Sequence, residues 1–235
     1  MSSRITLPKK IFVSVDSVIF GYRDRQLFVP LFRRRVQGGG EPFPDCWSLP
    51  GGPLLDGETF EAACRRKLEE DIGLKIEYLE QLYTFGAPER DPRDRAISVS
   101  YFAFIRWPEN PLVAGRDARE ARWFPLDAIP TGPFAFDHRE ILDTAIQRLR
   151  GKLLYQPIGL NLLDDEFSMA DLLAIYEAVL PRKLDRRNFS KKILSFKLLT
   201  PSRVVARARG RPTQLFRFDR KIYQSLQREG FSIGT

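Results

Sequence analysis

Acidic residues nearly vanish from the end of this 235-residue chain: positions 181–235 hold 3 Asp and Glu against 15 Lys and Arg. Cysteine is scarce too. Cys46 and Cys64 cannot build a disulfide framework or a four-ligand zinc site. His138 is the single histidine. No run of about 18 apolar residues is present, so no membrane span is expected. Residues 1–10 lack the apolar segment of a signal peptide, and a cytoplasmic protein without a membrane partner is expected. With 43% hydrophobic and 29% charged residues the chain is too apolar for disorder.

What is present is uneven. Residues 1–151 carry 22 basic and 22 acidic side chains, whereas 152–235 carry 16 and 8. A neutral first part and a basic second part point to two tasks, the second being contact with a polyanion, most commonly nucleic acid. The first part alternates β-rich and helical patterns. Phe12–Phe20 and Arg25–Phe32 read as a hairpin around Gly21–Asp24. Thr59–Ile72 carries Phe60, Ala63, Cys64, Leu68 and Ile72 at helical spacing, with Gly73 placed to stop it. Ile76–Phe85, Ala96–Trp107 and Trp123–Leu126 read as strands, and Phe136–Leu149 as an amphipathic helix. In the second part Ser168 and Asp185 are placed to cap helices running to about Leu180 and Leu198. A hairpin with a basic tip at Arg209-Gly210-Arg211 follows, between 203–208 and 214–218. Helix, turn, basic helix and hairpin is the order of a winged helix-turn-helix.

The segment from Gly52 to Leu74 resembles a Nudix box, G-x5-E-x7-R-E-U-x-E-E-x-G-U. Gly52, Glu58, Arg66, Leu68, Glu70, Gly73 and Leu74 fit at the right spacing. The resemblance implies an α/β/α sandwich with a mixed sheet and a helix face whose carboxylates hold Mg²⁺. Two positions depart: Lys67 replaces the first glutamate of that face, and Asp71 its last. Residues 67, 70 and 71 share one face, so its formal charge falls from −3 to −1. An ammonium ~4 Å from a divalent ion costs several kcal/mol even at an effective dielectric of ~20. Glu70 and Asp71 are therefore read as a remnant, with no metal site and no catalytic residue. Two alternatives stay open: another carboxylate such as Glu58 rescues the metal, or Lys67 takes the metal's place as partner of a diphosphate.

The turn Gly86–Arg93 followed by Ile97–Tyr101, together with Phe134–His138 and Leu184–Phe189, is similar to the Nudix-related transcriptional regulators of NAD metabolism. This resemblance implies an α+β chain, with a Nudix-like effector domain over 1–151 and a winged helix DNA-binding domain over 152–235. It also implies a homodimeric repressor on a double-stranded DNA operator, with ADP-ribose or a related nucleotide as effector. No cofactor is required, and Mg²⁺ enters only if hydrolysis persists. Effector contacts are expected from Arg33, Gly51, Gly52, Lys67, Glu70, Arg90, Asp91 and Arg93. Arg90 and Arg93 are suited to bidentate phosphate contacts; the other reading is a surface turn with an Arg–Asp pair through Asp91. His138 is read as a helix-start residue at a domain interface rather than a general base. DNA contacts are expected from Arg182, Arg186, Arg187, Asn188, Ser190, Lys191, Lys192, Lys197, Arg209 and Arg211. Other readings are an active Nudix pyrophosphatase on ADP-ribose-like substrates and a sugar-responsive regulator of the same architecture.

Overall fold

The computed structural model describes residues 10–36, 41–76, 78–108, 110–155, 162–180, 182–205, 212–219 and 222. Two compact units emerge. One holds residues up to Phe20, Phe28–Ala103 and Pro108–Ala145; the other holds Gly21–Leu27, Phe104–Trp107 and residues from Ile146 on.

The first strands are β1 (Phe12–Arg23) and β2 (Gln26–Arg34). The turn between them is Asp24-Arg25, both left-handed at φ 48° and 63°. It is tighter than the expected Gly21–Asp24 turn, because two consecutive left-handed residues match the twist of the flanking strands. Short strands β3 (Trp47–Ser48) and β4 (Gly51–Pro53) precede helix α1 (Phe60–Ile72). Strands β5 (Glu80–Phe85), β6 (Ala96–Arg106) and β7 (Ala118–Pro125) complete the large sheet. Its strand order is β3-β2-β1-β6-β5, with β4 on β1 and β7 on β2. Helix α2 spans His138–Tyr155.

β1 is buried without interruption from Val15 to Gly21, so both sheet faces are covered there. α1 starts where the Thr59 side chain accepts from the Ala62 N–H and ends at Gly73 in the left-handed region, φ 70°. It buries Ala63, Cys64, Leu68 and Ile72, as its periodicity predicts, but Lys67 and Asp71 as well. Burial of Leu68 and Ile72 stabilises by about 1.5–3 kcal/mol each. Gly115 packs on the end of α1 so closely that a Cβ there would lie 1.7 Å from the Glu70 carbonyl oxygen.

In the second unit β8 (Phe167–Ser168), β10 (Thr213–Phe218) and β9 (Leu199–Val205) form a sheet in the order β8-β10-β9. Helix α3 (Met169–Val179) begins with a Ser168/Asp171 capping box. Helix α4 (Arg186–Ser195) begins at Asp185, whose carboxylate accepts from the Asn188 N–H at 2.7 Å. It stops earlier than expected: Lys197 is left-handed, φ 54°, and β9 starts two residues later. Leu172, Ile175, Tyr176, Val179 and Ile193 form the buried centre of α3 and α4.

Candidate functional site

The first unit encloses a cavity of about 450 Å³ walled by β1, β4, α1, the 86–95 turn and the start of α2. Six of the eight expected effector residues line it: Gly51, Gly52, Lys67, Arg90, Asp91 and Arg93. Glu70 and Arg33 do not. β-strand alternation puts successive side chains on opposite faces, so Arg34 lines the cavity while Arg33 turns to Asp45, 2.8 Å away.

At one end, the Gly51 N–H donates to Asp71 Oδ2 at 3.0 Å. A Cβ at Gly51 would lie 2.1 Å from Asp16 Oδ1 and 2.5 Å from the Val15 carbonyl oxygen, so only glycine fits against β1 there. Lys67 Nζ lies 2.8 Å from Asp71 Oδ1 and 3.2 Å from Glu70 Oε2. Burial works against its charge, but Asp71 and Glu70 outweigh it and hold the ammonium above the usual lysine range. Arg66 donates to both oxygens of Glu58, at 2.7 and 2.9 Å, and reaches Glu70 at 3.3 Å. Mg²⁺ demands several hard oxygens in near-octahedral array. Glu70 and Asp71 with an ammonium between them do not fit that demand. Glu58, the other candidate, is held by Arg66 and by the Leu55 N–H.

The Arg66 fork, together with the Leu55 N–H, lowers the Glu58 carboxyl from 4.5 to about 2. A depressed folded-state value stabilises the protein above the ordinary value and is lost as pH falls through the folded one. Part of the acid loss of stability between about pH 4.5 and 2 should therefore disappear in Glu58→Gln, as read from urea unfolding across that range.

At the other end the structure corrects the reading of Arg90. Its guanidinium is buried, and it forks Asp137 at 2.9 and 2.8 Å and reaches Asp16 at 3.3 Å. It is neither a free phosphate fork nor a surface pair with Asp91. The surface pair belongs to Arg93, which grips Asp91 at 3.0 and 2.8 Å. His138 opens α2 and is buried. Its Nδ1 accepts the Leu49 N–H at 3.0 Å, which leaves the proton on Nε2, 3.2 Å from Asp16 Oδ1. Its described polar partners, Ser48, Leu49 and Asp16, lie in the first unit. Burial alone would raise the Asp16 carboxyl, but His138, Ser98 and Arg90 together hold it below the usual range.

Phe136 was missed as a lining residue. Its backbone is left-handed, φ 51°, and Arg34 and Arg93 stack on its ring at 5.4 and 5.6 Å. No sequence signal announces a phenylalanine in that conformation.

In the second unit Arg182, Arg186, Arg187, Asn188, Lys191, Lys192 and Lys197 are all exposed. Ser190 is half-buried, and its hydroxyl donates back to the Arg186 carbonyl at 2.8 Å. Ile193 is buried, with Phe189 and Phe196 half-buried beside it; Phe189 meets Tyr176 edge-to-face at 5.0 Å. α4 thus turns its apolar stripe inward and its basic stripe outward. Arg203 and Arg217 close on Glu166 at 2.7 and 2.8 Å across the sheet. Arg209 and Arg211 lie outside the described residues.

The NUDIX domain family matches residues 10–145, and the NrtR DNA-binding winged helix domain family matches 159–218. The chain is 30% identical over 213 residues to the "ADPR responsive transcriptional repressor NtrR" of Acinetobacter baylyi, covering 90% of this chain and 83% of that protein. It is similar to Shewanella oneidensis NrtR solved with a 27mer DNA: TM-score 0.72, 28% identity, 94% of this chain and 96% of the other. The NUDIX domain of the same regulator, solved with ADP ribose, is similar over 60% of this chain and 90% of its own, with TM-score 0.54 and 34% identity. The chain belongs to the NUDIX family, in its branch of regulators that join a NUDIX domain to an NrtR-type DNA-binding winged helix.

Proposed function

We propose that this protein is a cytoplasmic, homodimeric transcriptional repressor of genes for NAD synthesis or salvage. Residues 1–151 take ADP-ribose or a related nucleotide as effector, and residues 152–235 hold the operator. The observation that carries the reading is α4: a capped helix in a winged fold whose Arg186, Arg187, Lys191 and Lys192 are exposed, with exposed Arg182 before it and Lys197 after it. The relatives named for ADP-ribose response and solved with DNA support it. In the same reading the NUDIX domain binds without hydrolysing, because Lys67 stands among the helix carboxylates.

Effector control requires that ADP-ribose prefer a state unsuited to DNA. The coupling is reciprocal: whatever factor ADP-ribose takes from DNA affinity, typically about 5–150-fold, DNA must take from ADP-ribose affinity. The test is a gel shift at fixed salt on DNA upstream of the protein's own gene and its neighbours, with ADP-ribose titrated in. Selective binding released by ADP-ribose is expected. Selective binding indifferent to it discards this effector and favours a sugar. Absence of selective binding, with Mg²⁺-dependent AMP release from ADP-ribose, replaces the repressor by a hydrolase. With ~4 phosphate contacts per protomer, the log–log salt slope should be near −3.6 for each.

A further inference from the structure

We infer that Lys67 is a resident cation of the effector cavity, which therefore takes its nucleoside diphosphate in the metal-free form. This rests on the effector reading above but makes a separate claim about divalent ions.

Three observations converge. First, the ammonium sits on the very oxygens a divalent ion would use, Asp71 Oδ1 at 2.8 Å and Glu70 Oε2 at 3.2 Å. Glu70 carries a second cation as well, the Arg66 guanidinium at 3.3 Å. The five charged groups Glu58, Arg66, Lys67, Glu70 and Asp71 sum to −1, too little negative charge to draw a dication between two fixed cations. Second, the lysine is built in rather than lying on the surface. Its side chain is 11% exposed, and its stem lies against Gly52, where a Cβ would come within 2.9 Å of Lys67 Cε. The glycine makes room for the lysine. Third, Lys67 lines the cavity. An ammonium has three N–H donors, and two are taken by the carboxylates. The third is left for a diphosphate oxygen, the role a bridging Mg²⁺ plays elsewhere.

The full-length protein is tested in two arms. In the first, Mn²⁺ alone is titrated and followed by electron paramagnetic resonance. Wild type is expected to show no tight site, and Lys67→Glu to gain one, since three carboxyl groups then share the helix face. In the second, ADP-ribose affinity is measured by calorimetry in excess EDTA and in excess Mg²⁺. Wild type is expected to agree within about twofold between the two. Lys67→Gln, which removes the charge and ends one bond nearer the backbone, should bind roughly 10- to 100-fold more weakly in EDTA, the value of a hydrogen bond to a charged group. Thermal melts establish that each variant is folded; the wild-type arms need no variant.

Tight Mn²⁺ binding by wild type, or ADP-ribose binding that requires Mg²⁺, overturns the inference. Lys67→Gln binding as tightly as wild type overturns the contact with the diphosphate. If ADP-ribose binds in neither condition while only Lys67→Glu takes up Mn²⁺, the effector reading has failed and the resident cation stands.

Discussion

Replacing Arg90 by alanine is expected to lower the unfolding free energy by about 3–5 kcal/mol, because it strands two buried carboxylates without their cation. Arg90 is 4% exposed, as is Asp16, and Asp137 is 11% exposed. Water cannot take over the lost contacts as it would at a surface. Against a typical total stability of about 5–15 kcal/mol, that loss brings the protein close to unfolding. Urea unfolding of wild type, Arg90→Ala and Arg90→Lys checks it. Lysine restores the charge without the planar fork that meets both Asp137 oxygens, so Arg90→Lys should fall between the other two. The same series separates structure from recognition. Were Arg90 a phosphate ligand, its loss would leave stability near wild type and weaken effector binding. A drop below about 1 kcal/mol would refute the structural role.

Substitutions on α4 should divide into two kinds. Arg187→Ala, at the exposed N-terminal end that enters a major groove in this motif, is expected to cost about 1–3 kcal/mol on the cognate operator and to relax selectivity at one base position. Lys192→Ala, one turn further along, should weaken binding evenly across sequences and reduce the salt slope by about 1. Both side chains are exposed and neither contributes to the buried centre of α3 and α4, so melting temperatures should stay near wild type. Operator panels at several salt concentrations read both effects. If Arg187→Ala and Lys192→Ala behave alike, α4 tracks the backbone and does not read bases.

On the cavity side Asp16 meets two side chains, His138 and Arg90. His138 and Arg90 come from sequence positions far from β1, yet both point at the same carboxylate. Local context suggests a phosphate fork for Arg90 and an interface histidine for His138. Neither local context contains the partner: Asp137 lies 47 positions from Arg90 and Asp16 lies 74. An arginine reads the same in a sequence whether its counter-charge is a ligand or a folded-in carboxylate, and only burial tells them apart. Arg33 and Arg34 differ in the same way, since the face each occupies is decided by strand register and not by composition.

The sequence by itself determined the two-part organisation, the helix starts at Thr59, Ser168 and Asp185, the stop at Gly73, and the basic outer side of α4. These depend on interactions within four residues or on the summed charge of a segment, and both are written locally. It also determined that a lysine stands on the Nudix helix face. Tertiary structure alone decided what that lysine touches, that Arg90 is internal, that Arg34 and Phe136 line the cavity, and that Asp24-Arg25 turns without glycine. Those outcomes depend on which distant groups share a low-dielectric space and on backbone conformations imposed by packing, and no short window of residues encodes either.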